Sequence, residues 1–297
     1  MKRAWNIIWK IALAMGAVGI VLTLIGLKLG WPQPVTWGPH GPKVMEVSDV
    51  SVTENNLTPF DTIAMDVGIL DIQVVTGDHY GLQISADTTY MTITWSNDIG
   101  TLKVSQTGNN PYILNFGFNS VQEAVVTVPS GVTLKRVDIS NGAGNVTLGV
   151  PAGTVSLYSA VGDVKLTAPA DKATVRTNTG NAGVEADVPS LTATSSTGDV
   201  RVSGSFDTVQ ANTSTGSVTV TGSATNVDAT SSIGDVRVTL STPWATTTYT
   251  VHTSVGDIRF AGPGAPPSDN RSGQASSPQL TLTATTSTGD VYVTLGV

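Results

Sequence analysis

The side chains that could do chemistry are a few carboxylate and basic pairs that recur at one spacing. They are Asp163 with Lys165, Asp199 with Arg201, and Asp235 with Arg237. Residues two apart on a strand share a face, so each pair would lie side by side. Such a set could hold calcium beside a base, as in a polysaccharide-acting β-helix enzyme. These pairs recur with the repeat described below, whereas catalytic groups usually break a repeat. We therefore interpret them as scaffold and predict no catalytic residue.

Composition argues against several other kinds of site. The 297 residues include no Cys, which removes thiolate nucleophiles, disulfides and Cys-ligated metals. The three His residues are His40, His79 and His252, too far apart in sequence to suggest a metal cage. With 15 Lys and Arg against 22 Asp and Glu, the chain lacks the basic face of a nucleic-acid binder. We expect no cofactor, no metal and no nucleic-acid partner.

The element that must position these pairs is a short repeat marked by glycine. Successive glycines from Gly144 to Gly234 are 18 residues apart, the next follows after 22 residues, and the last after 33. A fixed short period of this kind indicates a stacked architecture. We expect each glycine to lie at a turn with positive φ, which only glycine adopts cheaply. The predicted turn residues are Gly144, Gly162, Gly180, Gly198, Gly216, Gly234, Gly256 and Gly289.

Apolar residues stand seven and five positions before each glycine, and two and four positions after it. Polar residues alternate with them, as in two short half-buried strands. Eighteen residues cannot bury a core alone, but stacked coils share one. The sequence therefore predicts an all-β, single-domain parallel β-helix, or solenoid, with coils of about 18 residues, stacked in chain order.

Two polar columns accompany each turn. The position three before the glycine holds small polar residues, which we expect to bond from rung to rung: Asn141, Ser159, Thr177, Ser195, Thr213, Ser231, Thr253 and Thr286. Along the outer face, stacking in chain order would separate the charged pairs by neutral rungs.

Stacked Thr-x-Thr, as at Thr177 and Thr179, could bind ice, but apolar residues interrupt the same column, and we rank this hypothesis lowest.

The first residues predict one transmembrane helix before the solenoid. Residues 11–29 form the predicted anchor, 1–10 a cytoplasmic tail, and 30–44 a linker rich in Pro and Gly. Lys2, Arg3 and Lys10 precede the apolar stretch, which orients the N-terminus toward the cytoplasm and the bulk outside. A cleaved signal peptide is the alternative, and it would export the same residues. The localisation we expect is a single-pass protein of the cell membrane.

The remaining chain divides into two predicted parts. Residues 45–130 form an irregular β-rich portion that caps the solenoid, with Gly68 and Gly100 expected in the same turn register. Residues 131–297 form the regular coils, with a flexible insertion at 262–279 that is rich in Pro, Ser and Gly.

Four segments resemble a known bacterial family, the putative-adhesin family of Gly-Asp-Val β-strand repeats. They are Phe60-Asp61-Thr62-Ile63, Val125-Val126-Thr127-Val128-Pro129, and Ser-Thr-Gly-Asp-Val at 196–200 and at 287–291. The resemblance covers most of residues 45–297. It implies a membrane-anchored or exported β-helix of the bacterial envelope, a role in adhesion or in envelope-stress regulation, and no catalytic motif. The strict 18-residue spacing and the insertion depart from the family pattern.

We therefore expect a non-enzymatic, adhesin-like binding module of the cell surface, with a cell-envelope glycan or protein as partner. The alternative is an envelope-stress regulator that contacts a membrane partner through small residues of the helix, Gly16 and Gly19. Trp244 and His252 form the candidate ligand surface, because they lie where the repeat expands by four residues. Trp244 could equally plug the solenoid there. Nothing in the sequence indicates an oligomeric state.

Overall fold

The structure, a computed structural model, describes residues 35–38, 41–44, 50–86, 92–107 and 122–297. The predicted tail 1–10 and anchor 11–29 lie outside the described residues, as does most of the N-terminal half of the linker. Among the residues that are described, no helix is both long enough and apolar enough to span a membrane. Inside the predicted linker, β1 (Val35–Gly38) and β2 (Gly41–Val44) pair antiparallel.

Seven further strands precede the regular coils. They are β3 (Val50–Asn55), β4 (Thr62–Ile69), β5 (Asp71–Gly77), β6 (Gly81–Ala86), β7 (Thr92–Asp98), β8 (Thr101–Thr107) and β9 (Glu123–Pro129). Strands β4 and β5 form a first coil, against which β8 and β9 stack in parallel. The outermost strands β7, β6 and β3 pair antiparallel with their neighbours.

Each regular coil contains one strand before its turn glycine and one after it. The strands before the glycine are β10 (Leu134–Ala143), β12 (Ala152–Val161), β14 (Ala170–Thr179), β16 (Ser190–Thr197), β18 (Thr208–Thr215), β20 (Asn226–Ile233), β22 (Thr247–Val255) and β25 (Leu280–Thr288). Those after it are β11 (Val146–Leu148), β13 (Val164–Leu166), β15 (Ala182–Glu185), β17 (Val200–Ser205), β19 (Val218–Ser223), β21 (Val236–Leu240), β23 (Ile258–Ala261) and β26 (Val291–Leu295). The insertion contributes β24 (Ser272–Gly273), and a 3-10 turn spans Trp244–Thr246.

These strands form two sheets of 12 strands, which face each other across one apolar core. We call them the long-strand sheet and the short-strand sheet. The long-strand sheet has the order β24-β22-β25-β20-β18-β16-β14-β12-β10-β4-β8-β7. The short-strand sheet has the order β23-β26-β21-β19-β17-β15-β13-β11-β5-β9-β6-β3. The all-β class and the parallel stacking of coils are confirmed.

The pairing register follows the 18-residue period. Val137 pairs with Val155, which pairs with Ala173, and all three are buried. Burial alternates along the strands, as the period of two requires. The apolar columns read from the sequence therefore form the core.

The order of the last coils differs from the predicted one. We name each coil after its turn glycine. Strand β25 of the Gly289 coil pairs with β20 on one side and with β22 on the other, so it lies between the Gly234 and Gly256 coils. The Gly256 coil, although earlier in the chain, is the outermost. The insertion at 262–279 lets the chain step back across one rung.

The N-terminal turn register also differs from the predicted one. Because Ile63 pairs with Val137 and Ile72 with Val146, the place of Gly144 is taken by Leu70 in the first coil, not by Gly68. Gly100 has φ +74° and joins β7 to β8 in an antiparallel hairpin. The two glycines lie near turns, but neither occupies the repeat position.

Candidate functional site

The two residues of the sequence-based ligand surface point in different directions. Trp244 is only 6% exposed, and its indole N–H donates to the Ala261 carbonyl at 2.8 Å. Its ring packs edge to face on Tyr249 and Phe260, with centroids 5.3 and 5.2 Å away. These three aromatic rings close the interior at the Gly256 coil. An indole in this position offers no face to a ligand on the surface.

His252 lies on the outer face of β22 and is exposed. Its Nε2 is 3.4 Å from the Ser254 hydroxyl, and its Nδ1 is 3.5 Å from Arg271 Nη1 of the insertion. The structure therefore does not bring His252 together with Trp244 in one site.

The turn glycines have positive φ, from +118° at Gly144 to +145° at Gly256. The residue after each glycine is Asp, Asn or Ser, and the structure gives the Asp and Asn side chains a structural task. Their side-chain oxygens accept the backbone N–H of the next coil, at 2.7–2.9 Å. The acceptors are Asn145, Asp163, Asn181, Asp199, Asp235 and Asp290, together with Asp71, which follows Leu70 in the first coil.

The charged pairs behave as scaffold, with two differences from the expectation. Asp199 bonds Arg201 at 2.6 Å and Asp235 bonds Arg237 at 2.8 Å, on the surface. Lys165, however, pairs with Glu185 of a neighbouring coil at 3.0 Å, not with Asp163. The neutral rungs are also interrupted, because the coil order stacks Asp235, Asp290 and Asp257 directly on one another.

At that end of the solenoid, Tyr292 lies between two arginines. The Arg237 and Arg259 guanidinium carbons are 4.8 and 5.3 Å from its ring centroid, and its hydroxyl donates to Asp290 at 2.8 Å. The backbone N–H of Asp257, and then the Tyr292 hydroxyl, lower the pKa of the Asp290 carboxyl below its ordinary value. Hydrogen bonding to the charged form thus offsets part of the repulsion among the three stacked carboxylates.

The small polar column does not bond from rung to rung as expected. Each hydroxyl donates instead to the carbonyl of the turn glycine in the adjacent coil, as Thr177 does to Gly162 and Thr213 to Gly198, both at 2.8 Å. The same arrangement holds at Ser159, Ser195, Ser231, Thr253 and Thr286. Thr177 is 1% exposed, so it cannot share an ice-binding surface with Thr179.

A concave surface lies elsewhere, on the outer face of the long-strand sheet. A groove of about 440 Å³ crosses β8, β4, β10 and β12, and a second of about 380 Å³ continues over β12 and β14. Tyr158 of β12 stands between them and lines both. We call the two together the Tyr158 groove.

In-register pairing aligns the lining residues in two rows across the strands. One row contains Ser105, Asp66, Ser140, Tyr158 and Arg176. The other contains Lys103, Ala64, Asp138, Ser156 and Thr174. The long residues lie at opposite ends of the two rows, Lys103 on β8 and Tyr158 with Arg176 on β12 and β14, and the residues between them are shorter. This size difference makes a groove on a sheet face that would otherwise be flat.

Local contacts hold the aromatic ring and part of the charge in place. Tyr158 is half-buried, its hydroxyl accepts from Asn178 Nδ2 at 2.9 Å, and the Arg176 guanidinium carbon is 5.9 Å from the ring centroid. Arg136 pairs with Asp138 through its Nε, and this contact raises the pKa of the arginine. The groove thus combines one fixed aromatic face with hydroxyls, carboxylates and basic groups.

Sequence reasoning missed this groove because its two ends come from different parts of the chain. The available signal was the break in the outer column at Tyr158 and Arg176, where the other regular coils carry Ser, Thr or Asn, apart from His252 in the Gly256 coil. Asp66 and Lys103 come from the irregular N-terminal part, whose register the sequence did not reveal.

Comparisons with known proteins give one family match and several distant structural likenesses. The family model described as Toastrack DUF4097 matches residues 60–294. No curated protein matches the chain significantly.

The solved structures that resemble the chain include two described as putative adhesins. The one from Bacteroides fragilis is 15% identical, with 84% of this chain and 98% of that one covered and a TM-score of 0.40. The one from Parabacteroides distasonis is 14% identical, with 84% and 99% covered and a TM-score of 0.39.

A further structure from Parabacteroides distasonis, described as a putative lipid binding protein, is 13% identical, with 83% and 97% covered and a TM-score of 0.36. These likenesses are too distant to carry a conclusion about what this chain binds. The family model, in contrast, spans nearly all of the described coils. This chain therefore belongs to the Toastrack DUF4097 family.

Proposed function

We propose that this protein is a non-enzymatic, adhesin-like binding module of the bacterial cell envelope, and that it holds its ligand in the Tyr158 groove. The observation that carries the proposal is the groove itself. Five neighbouring strands contribute its side chains, and the shared core of the solenoid fixes the spacing of those strands. A rigid scaffold that presents an aromatic face and convergent polar groups is typical of a binding site.

The charged residues of the groove are not required by the packing beneath it. Asp66, Lys103 and Arg176 project outward and are exposed, while their strand neighbours Met65, Val104 and Val175 are buried. Removing an outward side chain should therefore change binding without changing the fold. This separation makes the proposal testable by substitution.

The test measures retention of the full chain on isolated bacterial cell walls and on intact bacterial cells. Tyr158→Ala should lower retention, whereas Tyr292→Ala should not, because Tyr292 lies on the short-strand sheet outside the groove. Thermal melting of both variants serves as the folding control. Equal retention of the two variants, with equal melting temperatures, would refute the groove as the binding site.

The proposal includes the membrane anchor at 11–29, an N-terminus in the cytoplasm and the solenoid outside the cell. Its support is the apolar stretch and the basic residues before it, because positive charge remains on the cytoplasmic side. The chain lacks Cys, so single cysteines report topology cleanly.

Ser277→Cys lies at an exposed position of the insertion and should react with a membrane-impermeant maleimide in intact cells. Asn6→Cys should react only after permeabilisation. The opposite pattern would refute the proposed orientation. If an exchanged anchor abolished partner capture while the Tyr158 groove was intact, envelope-stress sensing through the helix would replace adhesion as the function.

A further inference from the structure

We infer that the Tyr158 groove binds an uncharged linear oligosaccharide that runs along the solenoid axis, with one pyranose ring stacked on Tyr158. This inference rests on the proposed function and names the class of its ligand. Four properties of the groove lead to it: its direction, its aromatic face, its polar lining and its charge.

The direction of the groove argues for a chain that crosses strands. It spans five adjacent strands, from β8 to β14, which is about 19 Å at about 4.8 Å per step. Each of these strands is hydrogen-bonded on both sides. A peptide could not add to the sheet here, because β-strand addition needs an exposed edge. A ligand must therefore be recognised by side chains, over a length that accommodates several linked sugar rings.

The aromatic face is fixed before any ligand arrives. Asn178 holds the Tyr158 hydroxyl at 2.9 Å, and the ring is half-buried between Ser140 and Arg176 in the row. An ordered ring loses little conformational entropy on binding, which favours affinity. The carbon–hydrogen face of a pyranose ring is apolar and flat, so it packs against such a ring while its hydroxyls point sideways.

The groups beside the ring suit hydroxyls, which both donate and accept. Carboxylates of Asp66 and Asp138 accept hydrogen bonds, Lys103 and Arg176 donate them, and serine hydroxyls do both. An acyl chain could not use most of these groups, and leaving them without water or a partner would cost free energy. The lining therefore favours a polyhydroxylated ligand over a lipid tail.

Charge decides between sugar classes. Asp66 and Asp138 lie on the middle strands β4 and β10, between Lys103 of β8 and Arg176 of β14, so these four lining groups carry no net charge. The whole chain has a formal net charge of -7, which disfavours approach of a polyanion. An uncharged glycan needs no excess of one charge in the groove and is not repelled by the net negative charge of the chain.

The experiment titrates the full chain, in a detergent without sugar groups, with chito-, cello- and malto-oligosaccharides of one to six units by calorimetry. We expect at least one series to bind, with affinity that rises with length and levels off at about four units, since the groove is about 19 Å long. Tyr158→Ala should weaken binding about tenfold or more, while Tyr158→Phe retains the stacking face and most of the affinity. Tyr292→Ala is the matched control and should bind as the unmodified chain does.

Several results would overturn the inference. If Tyr158-dependent retention on cell walls persisted but no oligosaccharide bound, the ligand class would be wrong and the proposed function would stand. Tighter binding of polygalacturonate would refute an uncharged ligand, and competition by phospholipid vesicles would indicate a lipid. If neither cell walls nor sugars depended on Tyr158, the proposed function would fail as well.

Discussion

Each turn glycine lies directly against the backbone of the neighbouring coil, which makes its side-chain hydrogen a structural requirement. Gly198 has φ +138°, and a Cβ built on it would lie 2.0 Å from the Gly180 carbonyl oxygen. Neither the dihedral angle nor that contact can be relieved by moving a flexible side chain. The requirement recurs at the equivalent glycines, such as Gly162 and Gly216, where the distance is 2.2 Å.

We expect Gly198→Val to lower the free energy of unfolding by about 3 kcal/mol or more, because it combines backbone strain with a backbone clash. Urea unfolding of purified variants is the measurement. Gly183→Ala is the matched control, since its Cβ would make only ordinary contacts, with Lys165 Cγ at 3.7 Å and the Val164 carbonyl oxygen at 3.9 Å. It should change stability by less than about 1 kcal/mol. Similar stability of the two variants would contradict the turn geometry.

The stacked carboxylates predict how stability depends on pH. The pKa of Asp290 is lowered in the folded chain, mainly by the Asp257 N–H, and that of Asp61 is lowered by its contact with Lys135. A carboxyl whose pKa is lower in the folded chain stabilises the folded state at pH values above its unfolded pKa of about 3.9. That stabilisation is lost as the pH falls through the pKa of the folded chain. Stability should therefore be nearly level between about pH 5 and 7 and fall below about pH 4.

Asp290→Asn should reduce the slope of that acid limb, because an asparagine oxygen still accepts the Asp257 N–H but does not titrate. Asn145 and Asn181 already occupy the same column and accept the same bond. Asp61→Asn should reduce the slope in the same way. Urea unfolding at a series of pH values measures it, and an unchanged slope in both variants would show that these carboxyls do not govern acid stability.

The turn residues illustrate what could be read from the sequence. Their glycine type and 18-residue spacing predict a turn, and positive φ follows from the residue type. The place of Trp244 could not be decided that way. Whether the Trp244 indole closes the core or is exposed to a ligand depends on Tyr249 and Phe260. Their rings contact the indole only in the folded solenoid.

At the scale of the strands, the apolar columns specify which residues pair but not which coil lies beside which. The coils have nearly the same inward-facing Val, Leu and Ala residues. Either the Gly289 coil or the Gly256 coil could therefore pack against the Gly234 coil. The aromatic residues of the Gly256 coil distinguish it. They pack together where the interior ends, while the smaller Leu282, Ala284 and Val291 fit between two neighbours.

Cysteines on the outer face test that order. Thr285 is in register with Thr230 on one side and with His252 on the other. A short bis-thiosulfonate reagent should therefore link Thr230→Cys with Thr285→Cys, about 4.8 Å apart, but not Thr230→Cys with His252→Cys, at about twice that distance. Mass spectrometry of the digested protein identifies the link. The reverse result would restore stacking in chain order.

At the scale of the whole molecule, the first part of the insertion is a covalent tether that lies outside the paired strands. Strands β25 and β26 are each paired on both sides, whereas Ser268 and Asp269 are exposed and precede β24. Limited digestion with endoproteinase Asp-N should cut before Asp269 and leave the segment 269–297 bound.

The nicked protein should elute from size exclusion as the intact one does and separate into two pieces only in denaturant. Asp269→Asn should resist this cut. Release of the segment under native conditions would contradict its position between two coils. Strand pairing on both sides is the physical reason for retention, because each coil in a stack is stabilised by its neighbours.

The Tyr158 groove also belongs to this scale. The columns of the regular coils were readable from the period, but the groove unites them with β4 and β8, whose stacking does not follow the period. Lys103 and Asp138 are 35 residues apart in the sequence yet line the same depression. No local sequence pattern predicts this proximity, because it depends on how the irregular N-terminal strands pack against the regular coils.

The displaced Gly289 coil has a consequence for biosynthesis. A ribosome makes residues 247–261 before 280–295, so the outermost coil leaves the exit tunnel before the strands that will lie beneath it. The Gly256 coil must either stay unpaired at first or pair temporarily with the Gly234 coil and then dissociate from it. Folding of this end of the solenoid is thus a late event, in which the Gly289 coil inserts between the Gly234 and Gly256 coils and pairs with both.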